Sequence, residues 1–461
     1  MPRRPQKKLR SPRIPKLETL GIVHPNAAGL DIGSREIWAC IPADRDPQSV
    51  RCFATFTPDL QRLVAWLKSC QIDTVAMEST GVYWIPIFEL LEAHGIHAAL
   101  IEPRQLKRVP GRKSDILDCQ WIQQLHALGL LTVSFRPDAQ IRSLRTLLRH
   151  RAELVQHRAP HILHMQKALQ QMNLQLHHVL SDITGATGLK ILRAIVAGQR
   201  DPAILARFRD PACKASLDTI HKALTGTWIP EHLFALQQSL ELFDFFSLKL
   251  TECDAFIESQ YTAFKPRWES DLPARLPAAK PNSHSKNQPP PSTRAHLTRI
   301  IGVDLVAVDG LSASLAQTIL SEIGTDMSRF PTVQHFTSWL GLAPHNDISG
   351  GRVLRSRTLP THNRAGQAFR QAAASVTRSQ SAFGAFYRRK KALIGPPAAL
   401  VATAHRLART VYTMLKRHVA YVDIGASAYD RQNQQRELAY LTKKASRLGF
   451  TLTPMAVPPN T

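Results

Sequence analysis

Five short apolar runs near the start of the chain constrain its fold most strongly. They lie at residues 28–32, 37–41, 51–56, 74–78 and 97–101. Apolar residues at helical spacing follow the third and fourth runs, and a further helix is predicted from 114 to 128. Three adjacent strands followed by alternating helices and strands predict an α/β sheet that is at least partly parallel.

Composition and periodicity divide the whole chain into six segments. Apolar residues at helical spacing run through a long middle region, although Pro160 is expected to break or kink its first helix. Six prolines between residues 272 and 292 mark a linker after it. The predicted segments are a basic disordered arm at 1–20, an α/β domain at 21–135, a helical, coiled-coil-like spacer at 136–265, a Pro-rich linker at 266–295, a mostly helical domain at 296–425 and a tail at 426–461.

The charge balance points to a polyanionic partner. The chain has 59 Lys and Arg against 35 Asp and Glu, a formal net charge of +24, and nucleic acid is the commonest partner of so basic a protein. Its six cysteines include no pair at CxxC spacing, which argues against a zinc site or a disulfide scaffold. No apolar run approaches the roughly 18 residues of a membrane span. We therefore expect a cytoplasmic, nucleoid-associated protein that does not bind membranes.

Four acidic residues stand at positions suited to a metal site. Asp31 and Glu78 each end an apolar run, where α/β folds place their sites. Asp115 and Asp118 open the following helix, and a spacing of three puts them on one helical face. Converging carboxylates would repel one another unless cations neutralised them, and their hard oxygen ligands suit Mg²⁺ or Mn²⁺. The alternative is that these acids only favour a helix N-terminus or a turn.

A serine in a strongly basic stretch forms the second candidate site. Ser349 precedes Gly350 and Gly351, so its hydroxyl can sit on a tightly turned, exposed backbone. From Ser349 to Ala420 the chain has fourteen Lys and Arg and no Asp or Glu. Arginine clamps phosphate and stabilises charge that develops in phosphoryl transfer, while the alternatives are an ordinary loop and a solvated basic face. The residues predicted to bind nucleic acid are Arg112, Lys113, Arg352, Arg355, Arg357, Arg364 and Arg370.

Two blocks of the sequence resemble a known family. The motifs GLDIGS, AMESTGVYW and GRKSDILDCQWI, in that order, resemble the DEDD domain of bacterial insertion-sequence transposases (insertion-sequence family one-hundred-ten). The distal block from Glu322 to Ala373, which contains HNDISGGRVLRSRT, looks like the second domain of that family. The resemblance covers residues 22–130 and 296–420, in the family's order and separated by a helical spacer.

The resemblance implies an RNase-H/RuvC-like N-terminal domain and a mostly helical C-terminal transposase domain. The residues that match the family's catalytic, Mg²⁺-binding carboxylates are Asp31, Glu78, Asp115 and Asp118, and Ser349 matches its nucleophilic serine. The implied activity is cutting and rejoining of DNA at the element ends and the target through a phosphoserine link, guided by an element-encoded structured RNA. The acidic site would assemble with a serine from another subunit of a dimer or tetramer.

Two other functions stay open on the residues alone. One is a RuvC-like, metal-dependent junction nuclease that uses water, in which Ser349 is dispensable. The other is a non-catalytic nucleic-acid-binding protein whose acids are helix caps.

Overall fold

The computed structural model describes residues 20–79, 81–102, 115–265, 287–358 and 363–453. The chain folds into two compact units that divide between Arg136 and Pro137. Several sequence predictions fall outside the described part, namely the arm at residues 1–19, most of the Pro-rich linker, Arg112, Lys113 and the side chain of Asp115.

A five-stranded mixed sheet forms the centre of the N-terminal unit. Its strands are β1 (Ala27–Ile32), β2 (Glu36–Cys40), β3 (Val50–Ala54), β4 (Thr74–Glu78) and β5 (His97–Ile101), in the order β3-β2-β1-β4-β5. β2 is antiparallel to both β1 and β3, whereas β4 and β5 continue the sheet parallel to β1. The predicted, partly parallel α/β sheet is confirmed, and its order and directions are those of an RNase H-like fold.

Three helices cover the two faces of this sheet. α1 (Thr57–Ser69) and α2 (Trp84–Ala93) pack on one face, where Leu30 and Met77 are fully buried. α3 (Asp115–Ala127) packs on the other face, where Ile122 lies against Ala76. Since side chains alternate along a strand, Gly29 of β1 also faces α3.

Gly29 lets α3 lie directly on β1. A Cβ atom at this position would overlap the backbone nitrogen of Gln123 and would lie 2.5 Å from the carbonyl oxygen of Cys119. The side-chain amide of Gln123 also donates a hydrogen bond of 3.2 Å to the carbonyl oxygen of Ala27. Because Gly29 has no side chain, α3 can pack closely on the sheet. This close packing also sets the position of the start of the helix.

Two long helices connect the two cores of the C-terminal unit. α4 (Ala139–Gln171) and α9 (Pro230–Ala263) pack along each other. One core, which includes Met165 and Leu240, gathers the end of α4, the start of α9 and the short helices between them. Those helices are α5 (Leu176–Val179), α6 (Ala186–Val196), α7 (Pro202–Ala206) and α8 (Leu217–Leu224). The helical character predicted for the middle of the chain is confirmed.

Pro160, which was expected to break or kink the first long helix, does not break it. α4 runs uninterrupted from Ala139 to Gln171 with Pro160 inside it. A proline removes one backbone hydrogen bond, but contacts with α9 hold the helix on both sides of it. Before the proline, the Arg151 guanidinium pairs with both carboxylate oxygens of Asp254, and after it the ring of His161 stacks on Phe246 at 5.6 Å.

The second core joins the other ends of α4 and α9 to the C-terminal helices. These are α10 (Thr293–Ile301), α11 (Ala313–Ile323), α12 (Val333–Trp339), α13 (Arg364–Ser375), α14 (Ala382–Ile394) and α15 (Pro396–Arg417), with 3-10 turns at Leu305–Ala307 and Met327–Arg329. The last helix, α16 (Gly425–Arg447), packs on α14 in a separate small cluster. The mostly helical C-terminal region is confirmed. A β-hairpin that the sequence did not predict, β6 (Pro344–Ser349) and β7 (Arg352–Thr358), stands between α12 and α13.

Candidate active site

Asp31 and Glu78 lie near the carboxyl ends of two adjacent parallel strands, at the same edge of the sheet. Leu30 pairs with Met77 in the parallel register of β1 and β4, so the next residues, Asp31 and Glu78, stand side by side on strands about 4.8 Å apart. Both residues are half-buried. Each lies two positions beyond a residue that faces α3, Gly29 on β1 or Ala76 on β4, so both carboxylates point to the side of the sheet that α3 covers.

α3 brings Asp118 to the same edge. Along the helix, Cys119 lies beside Gly29 in the middle of β1, whereas His126 forms a hydrogen bond of 2.9 Å with Thr74 at the start of β4. The helix therefore begins near the carboxyl ends of the two strands. Asp118 is half-buried in its first turn. Three predicted acids therefore lie along what we call the acidic edge, Asp31, Glu78 and Asp118.

The thiol beside the acidic edge is unsuited to nucleophilic chemistry. Cys119 is fully buried, and its hydrogen bond to Cys40 together with burial raises its pKa. The negative charge of Asp31 raises this pKa further. Because a protonated, buried thiol neither attacks nor ligates, the reactive groups at this edge are the carboxylates.

The donor set at the acidic edge suits a hard divalent cation. Asp31, Glu78 and Asp118 offer carboxylate oxygens, the ligands that Mg²⁺ and Mn²⁺ prefer. Within the described ranges, no three His, Cys, Asp or Glu side chains lie close enough together to hold a metal ion. Asp115, the fourth predicted ligand, begins α3 at this edge, but its side chain is outside those ranges. The structure therefore places the predicted acids along one edge of the sheet, but not in the ligand geometry of a bound ion.

Ser349 lies beside the tight turn of an exposed hairpin. Ser349 pairs with Arg352, and the two residues between them, Gly350 and Gly351, have φ angles of 54° and 76°. Positive φ at both central positions is the type I′ turn that joins two-residue hairpins, and glycine adopts it without strain. All residues from Pro344 to Arg357 are exposed, so the hydroxyl of Ser349 is accessible, as predicted.

The hairpin has one charged face and one neutral face. Cross-strand partners share a face. Side chains alternate along β6, whereas β7 has a β-bulge that adds Leu354 opposite the step from Asp347 to Ile348 and so keeps Arg352 on the same face as Arg355. On the neutral face, Ile348 pairs with Val353 and Asn346 with Ser356. The charged face carries Ser349 with its partner Arg352, Asp347 with its partner Arg355, and His345 with its partner Arg357.

His345 and Asp347 do not complete a hydrolase triad with Ser349. The imidazole Nε2 of His345 lies 3.9 Å from the carboxylate of Asp347. His345 is four residues from Ser349 along an extended strand, which corresponds to about 13 Å. That distance is too long for the imidazole to take a proton from the serine hydroxyl directly, so the hairpin by itself offers the serine phosphate-binding arginines and no general base.

The other predicted basic residues differ in their surroundings. Arg364 is exposed at the first position of α13, where a phosphate could also meet the helix N-terminus. Arg370, on the next turns of α13, is half-buried and donates a hydrogen bond of 2.8 Å to the carbonyl oxygen of Gly341. Burial lowers its pKa. Arg370 therefore anchors α13 to the segment before the hairpin, in addition to any contact with nucleic acid.

Sequence reasoning missed a second group of arginines. Arg389, Arg406, Arg409 and Arg436, on α14, α15 and α16, line a groove of about 1300 Å³ together with Arg357 of the hairpin. The first three lie in the acid-free stretch that ends at Ala420, so the charge count pointed to them. Their convergence on one groove depends on how three helices pack, which the count does not show.

Comparisons with known families agree with this architecture. A family model for DEDD transposases of IS110 elements, described as a transposase, matches residues 28–174 and so includes the acidic edge. A second model, described as the transposase IS116/IS110/IS902 family, matches residues 304–388 and so includes the hairpin. The two spans together cover just over half of the chain. The chain belongs to the IS110 family of transposases.

Membership gives this IS110-family transposase its activity, DNA transposition. DEDD-type enzymes of this kind use divalent metals, in agreement with the oxygen donors of the acidic edge. No curated protein matches the chain. Among the helices that the structure describes, none is both long and apolar enough to cross a membrane.

Proposed function

We propose that this transposase cuts and rejoins DNA at the ends of its insertion sequence and at the target through the hydroxyl of Ser349. The observation that carries the proposal is the hairpin, which presents an exposed serine on the same face as Arg352, Arg355 and Arg357. Three guanidinium groups on one face can bind the phosphates that flank the attacked phosphodiester.

The reaction exchanges one bond to phosphorus for another. The Oγ of Ser349 forms a bond to phosphorus while one P–O bond of the DNA strand breaks, which leaves a phosphoserine link. The hydroxyl proton passes to solvent, and the released deoxyribose oxygen takes up a proton. Arg352 and its neighbours on the charged face stabilise the negative charge that develops on the phosphoryl oxygens. Attack on the phosphoserine by the hydroxyl of a new strand restores the serine and rejoins the DNA.

The carboxylates of the acidic edge are the proposed metal ligands. Asp31, Glu78 and Asp118, with Asp115 beside them, would hold Mg²⁺ or Mn²⁺, which would polarise phosphodiester oxygens. Their positions at two strand ends and one helix start hold the carboxylates at a fixed edge before substrate binds. Without a cation their mutual repulsion would destabilise this edge.

An element-encoded structured RNA is the proposed guide, and its binding would use the remaining basic surface. The net charge of +24 exceeds what one hairpin needs, and neutralising many phosphates makes affinity fall steeply with salt. We further propose that the transposase is a homo-oligomer. Exposed apolar residues along one side of α9, Phe245 and Leu248 among them, support this, because large exposed apolar stripes commonly mark contact surfaces.

The decisive experiment is a search for a protein–DNA adduct. The transposase is incubated with element-end DNA, its guide RNA and Mg²⁺, and adducts that survive denaturation are resolved by gel electrophoresis. We expect an adduct with the wild-type protein and none with Ser349→Ala. Ser356→Ala is the matched control, since Ser356 is a hydroxyl on the opposite face of the same hairpin, and it should retain the adduct. Cleavage without an adduct, unaffected by Ser349→Ala, would instead indicate a water-using nuclease.

Asp118→Asn tests the acidic edge separately. It removes one carboxylate charge and keeps the shape of the side chain, so strand cutting should fall at least ~100-fold while DNA and RNA binding stay unchanged. Mn²⁺ binding, followed by electron paramagnetic resonance, should weaken in parallel. Asp44→Asn is the control, because Asp44 is exposed in a loop far along the chain from α3. If Asp118→Asn bound Mn²⁺ as tightly as the wild type, Asp118 would not be one of the metal ligands.

A further inference from the structure

Two thiols meet where α3 packs on the sheet. Cys40, at the end of β2, is the cross-strand partner of Gly29, so its side chain shares the face of Gly29 and points toward α3. The backbone of Cys119 lies directly over Gly29, since a Cβ there would stand 2.5 Å from the Cys119 carbonyl oxygen. The two cysteines therefore approach the same point from opposite sides of the interface, and their thiols are hydrogen-bonded to each other.

The close packing of α3 is what brings these sulfur atoms into contact. Gly29 admits the helix backbone to the surface of the sheet, and a larger residue there would hold Cys119 away from Cys40. Both cysteines are free thiols. Because hydrogen-bonded thiols already touch, a bond between the two sulfur atoms requires a local approach and no rearrangement of the fold.

Cys40 is the sulfur at which oxidation begins. It is 5% exposed, whereas Cys119 is fully buried, so a water-sized oxidant reaches Cys40 first. The hydrogen bond with Cys119 lowers the pKa of Cys40, and the thiolate is the form of cysteine that oxidants attack most readily. A resolving cysteine beside the reactive one is the arrangement that redox-sensing proteins use.

We propose that Cys40 and Cys119 form a reversible disulfide that displaces the acidic edge when a hydroperoxide is present. The Cys40 sulfur bonds to one peroxide oxygen, the O–O bond breaks and a sulfenic acid forms. The Cys119 sulfur then bonds to the Cys40 sulfur, while the Cys119 proton leaves with the hydroxyl group as water. With hydrogen peroxide, the two thiols lose two electrons and two protons, and the peroxide is reduced to two molecules of water. A small thiol reverses the reaction by disulfide exchange.

The disulfide should shift the start of α3. A sulfur–sulfur bond is about 2 Å long, whereas non-bonded heavy atoms lie about 3.5 Å apart or more, so oxidation draws the two sulfur atoms together by about 1.5 Å. The helix backbone already touches Gly29 and cannot settle deeper, so part of this approach turns or slides the helix. Asp118 is bonded to Cys119 and moves with it. The effect on DNA cutting rests on the proposed metal site at the acidic edge.

Oxidation of the full-length protein without DNA tests the site. The protein is treated with hydrogen peroxide, the remaining thiols are alkylated, and the proteolytic peptides are identified by mass spectrometry. We expect a pair of peptides joined through Cys40 and Cys119, which dithiothreitol separates. Mn²⁺ affinity, followed by electron paramagnetic resonance, should fall at least ~10-fold in the cross-linked protein and recover after reduction. Strand cutting should fall and recover in parallel.

Variants of two cysteines separate the disulfide from other oxidation. Cys40→Ala should bind Mn²⁺ like the reduced wild type and keep that affinity after peroxide treatment, since no disulfide can form. Cys52→Ala is the matched control, because it removes an exposed thiol on the neighbouring strand β3 and leaves the pair intact. It should lose Mn²⁺ affinity on oxidation as the wild type does. Peptide mapping of the wild type needs no variant, so it decides even if Cys40→Ala folds poorly.

Three results would overturn the inference. They are the absence of the joined peptides under conditions that oxidise Cys52, unchanged Mn²⁺ affinity in the cross-linked protein, and an equal loss of affinity in oxidised Cys40→Ala. If the reduced wild type bound no Mn²⁺, the proposed metal site would fail instead. Peptide mapping would still show in that case whether the disulfide forms, so the two failures are distinguishable.

Discussion

Gly29 is the residue whose replacement should most directly disturb the acidic edge. Gly29→Ala would push a methyl group into the backbone of α3, and overpacking of this kind costs about 1–3 kcal/mol. We expect a lower free energy of unfolding for the N-terminal unit and slower strand cutting, because the helix start that carries Asp118 moves. Denaturant unfolding and hydrogen exchange of α3 measure the two effects.

Gly21→Ala is the control for this substitution. A Cβ at Gly21 would meet no atom within 4 Å, so the same added methyl group should be neutral. If Gly29→Ala unfolded at the same denaturant midpoint as the wild type, the tight packing of α3 on β1 would be contradicted.

His126 makes the N-terminal unit sensitive to acid. Burial, with the charges of His24 and His97, lowers its pKa to about 4, whereas an unfolded histidine titrates near 6.5. Between these values the unfolded chain binds the extra proton, so stability is complete above pH 6.5 and falls as the pH drops toward 4, by up to ~3 kcal/mol. Hydrogen exchange of α3 and β4, corrected for intrinsic rates, should show this loss between pH 7 and 5.

The acid sensitivity should depend on this one imidazole. His126→Gln should flatten the pH dependence of exchange, although it lowers stability at pH 7 by removing a buried ring. His94→Gln should keep the wild-type profile, since His94 is exposed on the surface. An unchanged pH profile in His126→Gln would assign the effect to another group.

At the level of elements, the strands of the sheet were predictable and the hairpin was not. β4 and β5 match the predicted runs because each is a short apolar segment whose burial the sequence displays directly. The hairpin has exposed side chains throughout, so no burial pattern marks it, and only Gly350 and Gly351 signal its turn. For the same reason the sequence predicted that Ser349 is exposed near arginines, but it did not predict which face of the hairpin carries the serine.

The positions of the predicted acidic residues were also predictable only in part. The sequence placed Asp31 and Glu78 at strand ends, and the parallel register of β1 and β4 then sets them side by side. Which side of the sheet they face depends on alternation from Gly29 and Ala76 and on the docking of α3. That packing is tertiary and leaves no periodic signal. The absence of a break at Pro160 has a related reason, since packing against α9 supports a helix that the proline alone would interrupt.

The turn of the hairpin should control the position of Ser349. Gly350 has a φ of 54°, which a β-branched residue adopts only with strain, whereas asparagine tolerates it and favours type I′ turns. Gly350→Val should therefore reduce adduct formation by distorting the tip, with DNA binding little changed. Gly350→Asn is the matched control and should retain the adduct. Equal adduct yields from both variants would show that the turn does not position the serine.

At the scale of the whole molecule, charge and apolar surface serve different contacts. Arginines lie along the charged face of the hairpin, where nucleic acid is proposed to bind. The exposed apolar side chains of α9 lie within an arc of about 120° and extend over about 33 Å of helix. They are Phe234, Leu242, Phe245, Leu248 and Phe256. Lys249 lies over the ring of Phe245 at 5.7 Å and pairs with Glu252, so the stripe carries no unbalanced positive charge there and is better suited to a second copy of the chain than to nucleic acid.

Phe245→Glu tests whether α9 mediates self-association. The substitution replaces the ring over which Lys249 lies with a charge, so the apolar contact with a partner is lost and a charge must be desolvated at the interface, at a cost of several kcal/mol. Light scattering coupled to size exclusion should then give a mass near the 51.5 kDa of one chain, and a larger mass for the wild type. Thr251→Glu adds the same charge about 120° around the helix at an exposed position, so it should keep the wild-type mass. An oligomer that survives Phe245→Glu would place the subunit contact on another surface.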